Sequence, residues 1–502
     1  MLLADVVATS RLVASTRSRK AKTVAFADLL ARLSDDPAEI SVVTSYLAGA
    51  LRQRRTGLGW RSLQALPSPA DAATLRVIEV DDAFAEIAAL TGSGSQAARA
   101  AAAQDLFGRA TADEQVWLRG IVTGEVRQGA LDSLVQEGLA AAGGVPVADV
   151  RRAAMMAGST VTIAPAALTG GVEALAEFRL EVGRPVLPML ASTAPSIAEA
   201  FDKAGGGIVA VDTKLDGIRI QVHRSGTDVL VVTRSLDDVT DRLPEVAEVV
   251  LSLDAHEIVL DGEVLALAAD GRPRPFQETA ARTAMSEGVQ VTPFFFDLLH
   301  LDGRDLVDSP AADRFEALES LMSREHLVHR LVTDDPAQAA AFSDDVLAEG
   351  HEGVVVKNLE APYAAGRRGS AWVKVKPVHT LDLVVLAVER GNGRRRGWLS
   401  NIHLGARDDS GDGFVMLGKT FKGMTDEILT WQTERFRELE VSDDGYTVTV
   451  RPEQVVEIAF DGVQRSPRYP GGVALRFARV LRYRDDKTAA EADTIQAVQS
   501  LL

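Results

Sequence analysis

The chain has 502 residues, a formal net charge of −17 and no cysteine. This length predicts two to four domains, and the absence of cysteine excludes disulfides and cysteine-based zinc sites. No apolar run approaches the roughly 18 residues that cross a bilayer, so we expect no membrane contact and a cytoplasmic protein. Strong acidity is unusual for a protein that binds nucleic acid, although local basic clusters can still contact phosphate.

Residues 1–180 have the pattern of an all-helical region rich in alanine and leucine. Asp36 followed by Pro37 predicts a helix start, because Asp caps the first turn and Pro fits the first helical position. Apolar residues then recur at the spacing of one helix face, ahead of a predicted end at Gly57. A further helix is predicted within 124–144, where two glycines end the pattern.

Residues 181–380 alternate strand patterns with helical ones, which predicts an α+β domain. The predicted strands are 208–215, 218–224, 229–234, 258–267, 291–299, 353–358 and 371–376, and the predicted helices are 311–323 and 336–348.

Residues 381–502 show five short strand patterns separated by turn signals. Five strands in a segment of this length predict a small all-β barrel, of the OB type or of another type.

The segment 209–224, VAVDTKLDGIRIQVHR, predicts a β-hairpin with a lysine at the end of its first strand. Asp216-Gly217 is the predicted turn, because glycine takes positive φ without steric cost. The alternation of apolar and polar residues after Gly217 predicts the second strand. Lys214 is thereby placed where an amine can reach a phosphate.

Further motifs follow Lys214 in a fixed order. They are TRS with Arg234, LDGEVLAL with Glu263, FFFDLLHLDG with Phe296, EGVVVK from Glu352 to Lys357, and WVKVKP with Lys374 and Lys376. The whole series resembles the signature of the covalent nucleotidyltransferases, which comprise ATP-dependent DNA ligases, RNA ligases and mRNA-capping guanylyltransferases.

The order of the three regions resembles the ATP-dependent DNA ligases that carry a helical DNA-binding domain before the catalytic core. The resemblance implies a multidomain protein with an all-α N-terminal domain, an α+β adenylation domain and an all-β OB-fold domain. Their expected bounds are 1–180, 181–380 and 381–502.

The resemblance makes Lys214 the catalytic nucleophile, which attacks the α-phosphate of ATP and becomes lysyl-AMP. Neighbouring cations are expected to lower the pKa of Lys214, since they destabilise its ammonium form. The cations considered for this effect are Arg219, Lys374, Lys376 and a bound metal ion. The ATP-binding residues that the resemblance implies are Asp212, Arg219, Arg234, Glu263, Phe296, Arg368, Lys374 and Lys376.

Two of these assignments carry alternatives. Phe296 would stack on adenine, whereas Phe295 would do so if the register were shifted by one residue. Asp212 stands where the family commonly has Glu, and it is one methylene shorter. Its contact with the adenine amino group is therefore either direct or through a water molecule.

The resemblance also implies a divalent cation and a group of C-terminal cations. Glu263 and Glu352 would hold Mg²⁺ (or Mn²⁺), because carboxylate oxygens are its preferred protein ligands. In the last motif, Arg476, Arg479 and Lys487 would align the pyrophosphate leaving group.

The predicted function is an ATP-dependent DNA ligase that seals nicked double-stranded DNA in replication, repair or recombination. The protein would act as a monomer, in the cytoplasm or at the nucleoid of a prokaryote, and the sequence indicates no recruiting protein. The alternatives are a capping guanylyltransferase or RNA ligase, or a nucleic-acid-binding clamp with an inactive nucleotide site. The long region before Lys214 disfavours the first two, and the absence of cysteine disfavours an NAD-dependent ligase.

Overall fold

In the computed structural model, the chain divides into a first unit, Met1–Val375, and a second unit, Lys376–Leu502. The structure describes residues 1–53, 55–126, 128–129, 132–284, 288–365, 368–392, 395–408 and 413–502, and only the backbone at 283, 284 and 368. No helix in this described part of the chain is long and apolar enough to span a bilayer.

The first unit begins with a helical region, as predicted for residues 1–180. Its α-helices are α1 (Leu3–Ser15), α2 (Arg19–Leu30), α3 (Pro37–Leu47), α4 (Val77–Ala89), α5 (Ser95–Gly108), α6 (Ala112–Val122), α7 (Asp132–Gly143), α8 (Val147–Ala157), α9 (Thr160–Pro165) and α10 (Gly171–Ala176).

The predicted start of α3 is confirmed, whereas its predicted end is wrong. The Asp36 carboxylate accepts a hydrogen bond from the backbone N–H of Ala38 at 3.0 Å, and Pro37 occupies the first turn. The helix ends at Leu47 and not near Gly57. Gly49 takes φ +79°, which is incompatible with a continuing helix and ends the segment early.

Two five-stranded sheets follow the helices in the first unit. Sheet 1 has the order β1-β10-β9-β2-β8, and sheet 2 has the order β4-β3-β5-β6-β7. The strands are β1 (Leu190–Thr193), β2 (Val209–Lys214), β3 (Ile218–Ser225), β4 (Asp228–Thr233), β5 (Glu257–Ala266), β6 (Val291–Leu301), β7 (Arg304–Asp305), β8 (Arg330–Thr333), β9 (Gly353–Asn358) and β10 (Arg368–Val375). The accompanying helices are α11 (Ile197–Lys203), α12 (Pro244–Leu251), α13 (Phe276–Ala284), α14 (Ala311–Leu321) and α15 (Pro336–Ala348).

The predicted hairpin between β2 and β3 does not form. β2 pairs with β8 and β9 in sheet 1, whereas β3 pairs with β4 and β5 in sheet 2. The turn at Asp216-Gly217 therefore carries the chain from one sheet to the other. Gly217 does not have positive φ, and a Cβ built on it would lie 2.2 Å from the carbonyl oxygen of Val264. Close approach of two backbones, and not turn geometry, explains the glycine.

Helix α8 joins the helical region to the sheets. Met155 packs in one apolar cluster with Tyr363 and Trp372, which belong to the later part of the first unit. Arg152 also donates two hydrogen bonds to the Asp308 carboxylate, at 2.5 and 2.8 Å. The helices are thus in direct contact with residues that surround the pocket described below.

The second unit is rich in β-structure, as predicted. Its elements are β11 (His379–Arg390), β12 (Leu399–Arg407), β13 (Phe414–Thr420), α16 (Asp426–Glu438), β14 (Glu440–Asp443), β15 (Thr447–Val450), β16 (Val455–Phe460), β17 (Gly462–Arg465), β18 (Val473–Arg476), β19 (Arg479–Tyr483) and α17 (Ile495–Gln499). One sheet runs β13-β12-β11-β15-β14, and β16 adds to it by pairing with β11 and β19. The sequence did not predict α16, although the Thr425 side chain caps it by accepting from the N–H of Ile428.

Candidate active site

A pocket of about 650 Å³ in the first unit is lined by strands of both sheets. Sheet 1 contributes residues of β2, β9 and β10, and sheet 2 contributes residues of β3, β5 and β6. The predicted site residues that line it are Asp212, Lys214, Arg219, Arg234, Glu263, Phe296 and Lys374. Residues far apart in sequence therefore converge because the two sheets face one cavity.

Lys214 is the last residue of β2, and its ammonium forms an ion pair with the Glu352 carboxylate. Burial, the largest single influence, would lower the pKa of Lys214, but the charge and hydrogen bond of Glu352, together with the charges of Glu263 and Asp216, overcome it and raise the pKa above its ordinary value. The expectation that cations lower this pKa is wrong for the structure described. Carboxylates and not cations dominate around the amine, since the Arg219 guanidinium is itself bound to Asp261.

Glu263 is the second carboxylate beside the lysine. Burial raises the pKa of Glu263 to about 7, against the opposing influence of Lys214. One of its oxygens accepts a hydrogen bond from the backbone N–H of Gly217 at 2.9 Å, which fixes the side chain.

The donor set of Glu263 and Glu352 fits Mg²⁺ or Mn²⁺. Mg²⁺ is usually bound through one or two carboxylates together with substrate phosphates and water. Among the residues that the structure describes, no group of three or more His, Cys, Asp or Glu side chains could hold a metal ion by itself. Two carboxylates beside a pocket of about 650 Å³, which has room for a phosphate-bearing ligand, match this mode of binding.

The close packing of Gly217 gives a first testable prediction. We expect Gly217→Ala to lower the rate of the expected attack of Lys214 on ATP by about tenfold or more. The added Cβ would collide with the carbonyl oxygen of Val264 and must push the Lys214–Gly217 segment away from Glu263. The matched control is Gly59→Ala, where a Cβ would meet no atom within 4 Å. Equal rates for the two variants in a single-turnover assay would contradict the steric explanation.

Arg219 is held in a buried network at one wall of the pocket. It donates to the two carboxylate oxygens of Asp261 at 3.0 and 2.6 Å, and to the carbonyl oxygen of Met189 at 2.6 Å. The Tyr363 hydroxyl donates to the same Asp261 carboxylate at 2.7 Å. The guanidinium also lies 5.7 Å from the centre of the Phe296 ring. Asp261 thus aligns Arg219, a role that the sequence did not indicate.

Asp212 is a further lining residue of the pocket and is only 2% exposed. Arg330 donates to its two carboxylate oxygens at 2.6 and 2.8 Å, and the Lys357 ammonium lies 2.6 Å from the carboxylate. Burial alone would raise the pKa of Asp212, but these two cations overcome it and lower the pKa. Sequence reasoning assigned no role to Arg330 or Lys357, because no pattern along the chain pairs them with Asp212.

The structure decides which of Phe295 and Phe296 faces the pocket. The Phe296 ring lines the pocket, whereas Phe295 is fully buried in the core of sheet 2. Strand alternation sends neighbouring side chains to opposite faces, so only Phe296 is available to a ligand in this pocket.

Two further residues predicted to bind ATP, Arg368 and Lys376, are not among the residues that line the pocket as described. Arg368 begins β10, but its side chain lies outside the described residues. Lys376 is the first residue of the second unit, where its ammonium pairs with Asp461. A nucleotide contact of Arg368 or Lys376 stays a prediction.

The three predicted C-terminal cations all belong to the second unit. Lys487 donates to the Asp382 carboxylate at 2.6 Å, and Arg479 lies 3.7 Å from Asp461. Arg476 precedes Phe477, which is exposed and has φ +56°. Their expected contact with pyrophosphate is not tested by these positions.

The first-unit pocket combines a lysine amine, an exposed aromatic face, several cations and two carboxylates. A nucleophile, a base-stacking surface and charges for phosphate are what a nucleotidyltransferase requires.

Comparison with protein families identifies the class more closely. Three family models match: "ATP dependent DNA ligase domain" over residues 188–376, "ATP dependent DNA ligase C terminal region" over 395–487, and "DNA ligase N terminus" over 62–140. A "Probable DNA ligase" of a Nocardioides species is 70% identical, over 100% of this chain and 99% of its own length. A "Probable DNA ligase" of Kineococcus radiotolerans is 66% identical, over 100% of both chains. The chain therefore belongs to the ATP-dependent DNA ligases, in preference to the capping enzymes, RNA ligases and inactive clamps considered above.

A solved structure named "Pmar-Lig_Pre." has the same fold over nearly the whole chain. It is 18% identical, with a TM-score of 0.63, and the match covers 96% of this chain and 99% of that one. Because the identity is low, this likeness supports the fold alone.

Proposed function

We propose that Lys214 is the nucleophile through which this ATP-dependent DNA ligase forms lysyl-AMP. The observation that carries the proposal is the position of its amine, at the end of β2 in a pocket with two carboxylates and an aromatic ring. In the reaction, the Nζ lone pair forms a bond to the α-phosphorus of ATP, and the bond to pyrophosphate breaks. The ammonium must first lose a proton and separate from Glu352.

The rest of the pocket would bind the nucleotide. Phe296 offers its ring to the adenine, and Asp212 offers a charged oxygen acceptor to the amino group. Lys374 and Arg234 are the pocket cations proposed for the phosphates. Charge interactions are stronger at the buried wall of the pocket than in water, because the local dielectric constant is lower there.

Glu263 and Glu352 would hold Mg²⁺ or Mn²⁺. When bound, such an ion would withdraw negative charge from the phosphate under attack. Before such an ion binds, the Glu352 carboxylate would favour the protonated lysine, in keeping with the raised pKa of Lys214.

The second unit is proposed to be an OB-fold domain whose Arg476, Arg479 and Lys487 contact the pyrophosphate. Its antiparallel strands, with β11 pairing to β12, β15 and β16, support such a barrel. We propose the same division into domains at 1–180, 181–380 and 381–502, and a monomer located in the cytoplasm with its DNA substrate.

After adenylation, AMP would pass from Lys214 to the 5′-phosphate at a nick in duplex DNA. The 3′-hydroxyl would then attack that phosphate, release AMP and close the strand. The helical region is proposed to hold the duplex, in keeping with its match to the N-terminal region of DNA ligases.

A direct experiment tests the proposed function. The full chain is incubated with ATP or GTP labelled at the α-phosphate, with Mg²⁺, and separated on a denaturing gel. We expect covalent label from ATP, release of that label on addition of nicked duplex, and joined strands. Covalent label from GTP alone, or no label from either nucleotide, would contradict the proposal.

A further inference from the structure

Arg330 connects the two sheets and is bound to the pocket residue Asp212. It stands at the start of β8 in sheet 1, and its side chain is 7% exposed. Besides its two bonds to Asp212, it donates to the carbonyl oxygen of Phe296 in sheet 2 at 3.0 Å. One guanidinium therefore fixes a pocket carboxylate and the backbone that carries the pocket aromatic ring.

The surroundings of Arg330 leave its guanidinium little freedom. Its central carbon lies 3.5 Å from the centre of the Phe315 ring, which is a stacked arrangement. The Lys357 ammonium contacts the same Asp212 carboxylate and lies 4.6 Å from the Phe296 ring and 4.3 Å from the Trp372 ring. Planar, bidentate and stacked contacts are properties of arginine that lysine does not reproduce.

The two groups that Arg330 holds have complementary uses for a purine base. Phe296 offers a face on which the ring can stack, and Asp212 offers only acceptors because its carboxylate is ionised. An acceptor beside a stacked purine favours an amino group at the ring edge and repels a carbonyl oxygen. Such discrimination requires that carboxylate and ring keep a fixed separation, since hydrogen bonds weaken steeply with distance and angle.

We propose that Arg330 is a positioning residue for base recognition, which sets Asp212 against the 6-amino group of the base stacked on Phe296. It does not contact the nucleotide and acts through the two groups that it holds. This inference rests on the proposed function, because it assumes that the pocket binds ATP. It adds a residue of sheet 1 to the determinants of base specificity.

The test is a cycle that combines one substitution with one change in the nucleotide. Wild type and Arg330→Lys are each compared with ATP and with purine riboside 5′-triphosphate, which lacks the 6-amino group. For wild type we expect the analogue to lower kcat/KM for adenylation about 10- to 100-fold, the range typical of losing a charge-assisted hydrogen bond. For Arg330→Lys we expect a raised KM for ATP, a largely retained kcat, and less than about threefold discrimination between the two nucleotides.

A matched control is available in the same region. Arg314 forms a comparable buried bidentate pair with Asp297, at 2.7 and 3.0 Å, but Asp297, unlike Asp212, does not line the pocket. Arg314→Lys should lose stability in thermal unfolding and yet keep the wild-type preference for ATP over the analogue. Purely structural roles for the two arginines would change both variants alike.

The outcomes separate this inference from the proposed function. Equal use of ATP and the analogue by wild type would overturn it without any variant, as would unchanged discrimination by Arg330→Lys. No covalent adduct between wild type and ATP would instead contradict the proposed function itself. If Arg330→Lys fails to fold, Arg330→Gln, which also loses the bidentate pair with Asp212, takes its place in the same comparison of ATP with the analogue.

Discussion

Replacing Lys214 with alanine is expected to remove covalent labelling by ATP, with a fall of at least about 10⁴-fold in the adenylation rate, as for loss of a covalent nucleophile. Of the other lysines that line the pocket, Lys357 is paired with Asp212 and Lys374 is proposed to bind phosphate, so we expect neither to replace Lys214 in attack on the phosphate. Lys214 is 22% exposed at a strand end, and its truncation should leave the core intact. The measurement is single-turnover labelling with α-labelled ATP.

The same variant should still close a nick that already carries AMP on its 5′-phosphate. That step uses the 3′-hydroxyl as nucleophile and does not require the lysine amine to attack. Lys203→Ala is the matched control, because this exposed lysine of α11 contacts only a nearby carbonyl oxygen, at 2.9 Å. Covalent AMP on Lys214→Ala, or equal loss in the control, would show that the nucleophile lies elsewhere.

Local sequence patterns predicted many elements of the first unit correctly. The predicted strand 353–358 coincides with β9, and the predicted helix 336–348 coincides with α15. Both segments carry strong short-range signals, namely an apolar β-branched run in the strand and an Asp-Pro start before the helix. Signals of this kind are complete within a few neighbouring residues.

Strand partners were not predictable from the same patterns. The alternation after Gly217 shows a strand, but it does not show whether that strand pairs with β2 or with β5. The choice depended on the backbone of Val264, which lies close to Gly217 although they are far apart in the sequence. The hairpin prediction was wrong because it assumed the nearest partner.

The ion-pair partners of Lys214 and Lys376 could not be predicted from the sequence either. The motifs placed Lys214 among cations, yet its ammonium pairs with Glu352, and Lys376 pairs with Asp461 in the second unit. The partners lie more than 80 positions away along the chain in both cases. The packing of Met155 of α8 in one apolar cluster with Trp372 is a further example, since an apolar residue on a helix does not reveal which surface covers it.

Replacing Glu352 with glutamine is expected to lower the adenylation rate about 10²- to 10³-fold, the usual cost of losing one preorganised charge contact at a phosphate. Two effects of this substitution oppose each other. Loss of the negative charge would lower the pKa of Lys214, since Glu352 is the strongest of the carboxylates that raise it. At a given pH, each unit of that decrease would increase the free amine by about tenfold, which favours attack.

The adenylation rate should nevertheless fall, because Glu352 is also one of the two carboxylates proposed to hold Mg²⁺ or Mn²⁺. Rates are measured over a range of Mg²⁺ concentration and pH, with the exposed Glu349→Gln as the matched control. We expect the variant to need more Mg²⁺ than wild type for half-maximal rate, while Glu349→Gln behaves as wild type. A faster variant with unchanged Mg²⁺ dependence would show instead that Glu352 restrains the lysine until the nucleotide arrives, and that Glu263 alone contributes to the metal site.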